Sequence, residues 1–237
     1  MYQWRKFDFF EEKNSKIPEE IEGRICCCSS GRGKIVLGTE DGVVSLLDRG
    51  LQLQFSFAAH SFSVFFLHQL KQCNFLLTVG EDKKIPQEQS TICLKIFDLD
   101  KRQDEGSSSS GPECIQILRI FTTQFPEAKV TSFVVLEEAP PVLLIAFGLD
   151  NGYIYCIRGD IARERIKRFK LEAAGSRTGN KQRAVKGLGF RVDGQAIKLF
   201  AVTPDSVNLF DLQAQPPASQ ILDQIGSENA CVAMSDR

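Results

Sequence analysis

Four times along the chain an apolar strand runs into a tight turn led by an acid or amide, and a second apolar strand leaves it. The units are Lys34–Asp48, Asn74–Asp82 (resuming as Ile92–Asp98), Pro141–Ile157 and Ile197–Asp211. A hairpin that is apolar on both faces cannot bury either one alone. Stacking several around an axis buries both, which is the logic of a β-propeller. Strands covered on both faces run as continuous apolar stretches rather than alternating ones, and Val142–Phe147 does so. The pattern predicts an all-β fold, a WD40-like β-propeller that is incomplete.

Each unit gains a strand on either side. Arg24–Ser29, Phe62–His68, Val130–Leu136 and Ala184–Val192 precede the pairs, and the more polar Leu51–Phe55, Cys114–Ile120, Glu164–Leu171 and Gln220–Leu222 follow them. This predicts blades over about 24–55, 60–120, 129–171 and 184–222, with a further blade starting over 229–237. The markers Asp41, Asp82, Asn151 and Asp205 stand at uneven intervals. Setting aside the polar inserts Lys83–Thr91, Lys101–Glu113 and Ala173–Arg183 brings every interval near the ~40–45 residues of a blade. The insert at 101–113, rich in serine, is predicted to be a mobile, disordered-like loop. Asp41-Gly42 and Asn151-Gly152 predict type I′ turns. A partial ring leaves the apolar faces of its first and last blades open, a setting for association. No long stretch has helical period; Lys167–Ala174 could form a short helix, but Phe169 and Leu171 also suit a strand. The opening aromatic segment Trp4–Phe10 is expected to pack locally or to stay poorly ordered.

With 237 residues, 43 % hydrophobic and 25 % charged, the chain suffices for one sizeable core. Its net charge of −1 removes a bulk electrostatic drive toward nucleic acid. The N-terminus has no apolar h-region and no apolar run approaches ~18 residues, so the expected location is cytoplasmic. The eight cysteines form no CxxC pair and have no histidine at ligand spacing. Cys93, Cys114 and Cys156 fall in predicted strands and are read as small buried hydrophobes. Adjacent residues on a strand face opposite ways, so Cys26-Cys27-Cys28 cannot share one metal. No metal or cofactor is predicted. Ser30-Gly-Arg-Gly-Lys34 lacks the spacing and following helix of a phosphate-binding loop and is read as a strand connection.

His60 is the most pointed residue. The order His60, Thr78, Asp82 resembles the WD40 repeat, whose His, Ser/Thr, Asp and Trp form a buried hydrogen-bonded tetrad within a blade. Phe97 stands where the Trp would be, leaving the relay without its indole donor. The alternative is a hydrolase using His60 with Ser61, Ser63 or Cys73, which needs nucleophile, base and orienting group held together. Charge concentrates between Arg163 and Arg183, where eight bases meet Glu164 and Glu172. Arg163, Arg165, Lys167 and Arg168 form either a solvated, charge-protected edge or a patch for an acidic partner or anionic surface.

Tyr2-Gln-Trp-Arg-Lys-Phe-Asp-Phe-Phe10, Cys28-Ser-Ser-Gly-Arg-Gly-Lys34, Thr78-Val-Gly-Glu-Asp82, Leu94-Lys-Ile-Phe-Asp-Leu99 and Gly187-Leu-Gly-Phe-Arg191 together resemble the N-terminal region of the vacuolar protein sorting-associated protein 11 family, in its plant form. The resemblance runs through the whole chain. It implies a β-propeller at the head of a longer chain that continues as an α-solenoid and a RING-type zinc domain. It implies a non-enzymatic role in the class C core of the HOPS and CORVET tethering complexes. These work with Rab GTPases and SNAREs in docking and fusion at endosome and vacuole, as peripheral membrane assemblies. Nothing in this chain corresponds to the solenoid or the zinc ligands. A generic WD40-like scaffold outside membrane traffic is the other reading of the same repeats.

Overall fold

The continuous apolar runs become the middle strands of four sheets. A computed structural model of the chain describes residues 18–83, 90–102, 111–120, 128–139, 141–160, 163, 165–173, 177–178, 181–182, 184–214, 216–229 and 232. The first sheet holds β1 (Ile25–Gly31), β2 (Lys34–Thr39), β3 (Val43–Asp48) and β4 (Leu53–Ala58). The second holds β5 (Val64–Gln69), β6 (Phe75–Lys83), β7 (Ser90–Arg102) and β8 (Pro112–Arg119). The third holds β9 (Val130–Ala139), β10 (Val142–Leu149), β11 (Tyr153–Asp160) and β12 (Arg165–Glu172). A two-stranded hairpin, β13 (Arg177–Thr178) with β14 (Lys181–Gln182), lies between the third and fourth sheets in sequence. The fourth sheet holds β15 (Gly187–Asp193), β16 (Ala196–Val202), β17 (Val207–Asp211) and β18 (Ala218–Asp223). Within each sheet the strands lie in chain order and pair antiparallel, the meander of a propeller blade.

The sheets meet face to face through three apolar layers. Between the first and second, Val36, Val44, Leu46 and Phe57 meet Val64, Leu76 and Phe97. Between the second and third, Leu77, Val79, Leu94 and Ile96 meet Leu143, Ile145, Phe147 and Ile157. Between the third and fourth, Ala146, Ile154, Cys156 and Leu171 meet Leu188, Leu199, Ala201 and Phe210. Alternate residues of β10 therefore serve two cores, which is why that strand is apolar throughout. Rings span the second layer, with Phe66 and Phe133 centroids 5.7 Å apart and Phe133 and Phe147 5.3 Å apart. Lys167 to Glu172 lie in strand β12, not in a helix, and Ala174 falls outside the described residues.

The turns depart from the type I′ expectation at Asp41 and Asn151. Only Gly42 and Gly152 have positive φ there, and Gly42 N–H donates to Thr39 O as Gly152 N–H does to Leu149 O. These are three-residue connections, a type I turn closed by a left-handed glycine, which suits the strand twist as well as the two-residue form does. Among the described residues, Arg32-Gly33 between β1 and β2 is the two-residue turn with positive φ at both central positions. Asp82 is not a turn residue: β6 and β7 stay paired out to Lys83 and Ser90. The insert residues Lys101 and Arg102 belong to β7, and Pro112 and Glu113 to β8. Residues 103–110 lie outside the described residues, as do Trp4–Phe10 and most of 229–237, where the sequence predicts the start of a further blade.

The two end sheets are less open than a bare partial ring implies. On the first, the face turned from the second sheet carries Leu37, Thr39, Ser45 and Leu47, none more than 8 % exposed. An apolar face left in water costs about 25 cal/mol per Å², and this one is covered. On the fourth, Phe200, Val202, Val207 and Leu209 are half-buried.

A close approach locks the third sheet to the fourth. Thr131 and Ser132 hydroxyls both donate to Val185 O, at 2.8 Å each. Gly148 leaves the room for this: a Cβ there would strike Ser132 Oγ and come within 2.8 Å of Val185 Cγ1. Gly148→Ala is expected to cost about 1–3 kcal/mol by overpacking, read from urea unfolding. Gly148→Ala combined with Ser132→Ala should recover part of the loss; no recovery would show that the strain lies elsewhere.

Candidate functional site

The β4–β5 connection lays His60 over β6, between the first and second sheets. Its backbone N–H donates to Gly42 O at 3.1 Å, tying it to the turn of the neighbouring blade. Its ring packs against Gly80, where a Cβ would come within 2.6 Å of two ring carbons. Nδ1 lies 2.9 Å from Asp82 Oδ2, and Nε2 lies 2.8 Å from Thr78 Oγ1. An ionised carboxylate only accepts, so Nδ1 carries the proton, and in the neutral ring Nε2 accepts from the Thr78 hydroxyl. The structure thus brings His60, Thr78 and Asp82 together.

A fourth member joins them that the WD40 pattern does not predict. Lys95 of β7 pairs directly across from Thr78, and its Nζ donates to Asp82 Oδ1 at 3.0 Å and to Ala59 O at 2.8 Å. Ser61 adds its N–H to Asp82 Oδ1 at 2.9 Å and its hydroxyl at 3.3 Å. Burial pushes the Asp82 carboxyl up, but hydrogen bonds from His60 and Lys95, electrostatic attraction to His60 and the Ser61 N–H outweigh it. Together they hold the group well below the usual carboxylate range. Phe97, two residues along β7, stays out of the network. It enters the core between the first two sheets, its ring edge-on to Phe57 at 4.9 Å. The signal for Lys95 was in the sequence: a lone ammonium within Cys93-Leu-Lys-Ile-Phe97, a strand buried on both faces, requires a counter-charge nearby.

The order Asp82–His60–Thr78 has the connectivity of a nucleophile, base and orienting acid. Thr78 is fully buried, as is the His60 side chain, so no substrate carbonyl reaches the hydroxyl. The other nucleophiles considered do not meet the ring. Ser61 bonds Asp82 instead, Ser63 Oγ lies 3.7 Å from Cys26 Sγ, and Cys73 packs against the core between the second and third sheets. Burial pushes the Cys93 thiol up to about 11 and Cys156 higher still, as expected for small hydrophobes in a core. Cys114 is half-buried, and burial raises it too. Among the described residues no group of three or more His, Cys, Asp or Glu could hold a metal ion.

The four basic residues Arg163, Arg165, Lys167 and Arg168 do not form one patch. Arg163 precedes β12 and lies 3.7 Å from Asp160. On β12, alternation divides the rest. Arg165 and Lys167 share the side of Phe169 and Leu171, toward the fourth sheet. Arg168 shares the side of Ile166, toward the second sheet, and reaches Tyr155. All are exposed.

The family described as VPS11-like, N-terminal beta-propeller has a sequence model that matches residues 11–237. A vacuolar protein-sorting-associated protein 11 homolog of Arabidopsis thaliana is 66 % identical over 100 % of this chain and 25 % of its own length. Homologs from Mus musculus and Homo sapiens are 32 % and 31 % identical over 99 % of this chain and 25 % of theirs. The chain spans about a quarter of the length of these relatives. Among the described residues no helix is long and apolar enough to cross a membrane.

Proposed function

Because the chain belongs to the VPS11-like, N-terminal beta-propeller family, we propose that it is the non-enzymatic interaction platform of a vesicle-tethering subunit. That subunit acts in docking and fusion at endosome and vacuole, and in vacuolar protein transport. The observation that carries this reading is the match to vacuolar sorting proteins along nearly the whole chain. The fold supports it in physical terms, since stacked sheets present broad rims and edges to partners. The partners are the other class C core subunits of HOPS and CORVET, with Rab GTPases and SNAREs reached through the complex. The location is cytoplasmic, peripheral on late endosome and vacuole membranes, and no nucleic acid or cofactor is involved. The burial of Thr78 weighs against the hydrolase reading.

Affinity purification of the tagged chain from cells tests this. The expected result is recovery of class C core subunits and of label on endosomal or vacuolar membranes. A folded chain that recovers only proteins outside membrane traffic would favour a generic scaffold and refute the proposal. Hydrolysis abolished by His60→Ala with the fold intact would refute it as well.

A further inference from the structure

The outer edges of the four sheets differ in charge. β4 (Leu53–Ala58) carries no charged residue, β8 carries Glu113 and Arg119, and β18 carries Asp223 alone. β12 carries Arg165, Lys167, Arg168, Lys170 and Glu172. Charge on an edge strand commonly guards it against pairing with another chain. If guarding were the purpose, β18 would need it most, since all six of its residues are exposed, Ile221 and Leu222 among them. The bases are instead concentrated on one edge, and edge protection does not account for that choice.

Their arrangement says what they fit. β12 is the outermost strand of its sheet, so among the described residues its far side is an unpaired edge. Its bases project from both faces, Arg165 and Lys167 on one and Arg168 and Lys170 on the other. Lys170 lies over the Tyr153 ring, 5.7 Å from its centroid, and stays exposed. A single planar surface laid on either face meets only half of these charges. An extended segment hydrogen-bonded along the edge places successive side chains on alternate faces, and so meets all of them. Consecutive acids in such a segment stand opposite the bases, whereas a basic segment or a second β12 is repelled.

We propose that β12 is a docking edge for an extended acidic segment of a partner protein, which joins the third sheet as a fifth strand. The proposal rests on the platform reading above and gives it a partner chemistry.

The test uses the purified full chain and a fluorescein-labelled octapeptide holding consecutive glutamates between valines, followed by fluorescence anisotropy. The wild-type chain is expected to bind it. Lys167→Glu with Arg168→Glu is expected to weaken binding about tenfold or more, since several cross-strand ion pairs become repulsive. The same variant is expected to gain affinity for the peptide with lysines in place of glutamates, which a merely unfolded variant would not do. Methylating alternate backbone nitrogens of the glutamate peptide is expected to abolish binding, because strand pairing needs those donors. Three results would overturn the proposal: a wild-type chain that ignores the glutamate peptide, binding indifferent to methylation, or no loss on charge reversal. A chain that ignores the peptide yet co-sediments with vesicles of equal parts phosphatidylserine and phosphatidylcholine would assign the bases to a membrane instead. No tethering subunit takes part in this assay, so the edge and the platform reading can fail separately.

Discussion

Asp82→Ala is expected to lower the unfolding free energy by about 3–5 kcal/mol, because it leaves the Lys95 ammonium largely buried without its counter-charge, held only by Ala59 O, and the His60 Nδ1–H without its acceptor. The Asp82 and Lys95 side chains are only 13 % and 16 % exposed, so water replaces little of what is lost. Urea unfolding gives the number; a change under about 0.5 kcal/mol, the range of ordinary surface substitutions, would contradict the account. The same carboxylate sets a pH dependence. Its folded value lies below the unfolded one, so the unfolded chain binds the proton first as pH falls. The stabilisation is fully present above the unfolded value of about 3.9 and is lost as pH drops below it toward the folded value. Asp82→Asn is expected to flatten that acid arm of the stability curve. An arm as steep as in the wild type would place its origin in other carboxylates.

Phe147→Ala is expected to cost about 3–5 kcal/mol, the range for emptying a buried aromatic site. Phe147 is fully buried between the second and third sheets, against Phe133 at 5.3 Å and Tyr155 at 6.3 Å between ring centroids. It stands in the middle one of the three layers, so the cavity loosens the chain where its two halves meet. The chemical-denaturation midpoint should fall, with the transition becoming broader if the halves begin to unfold separately. Phe62→Ala, at a side chain 39 % exposed, serves as the control and should change little.

How much was legible in the sequence follows from what each feature requires. Strands such as Val142–Phe147 had to be apolar on every residue, because both faces are covered, and that demand leaves a plain trace. Turn type leaves a weaker one. Asp-Gly and Asn-Gly serve a two-residue I′ turn and equally the last two places of a three-residue turn, and the alternatives differ by where β2 and β10 end. Histidine, threonine and aspartate in order pointed to the buried network. The WD40 pattern places an aromatic donor on this strand and so gives no sign of Lys95; this chain meets Asp82 with an ammonium and sends Phe97 into the adjoining core. The basic run on β12 was visible as charge, but its division between two faces appeared only with the strand register. The cover over Leu37 and Leu47 had no local signal at all, since burial of an end sheet depends on what the rest of the chain does.

The central claim is that four separate sheets stack face to face in chain order. Nuclear Overhauser contacts between assigned aromatic rings test it most directly. The account predicts contacts between Phe57 and Phe97 and between Phe66 and Phe133, whose ring centroids lie 4.9 Å and 5.7 Å apart across successive sheets. Backbone contacts that instead join β4 to β5, or β8 to β9, into one continuous sheet or barrel would contradict it.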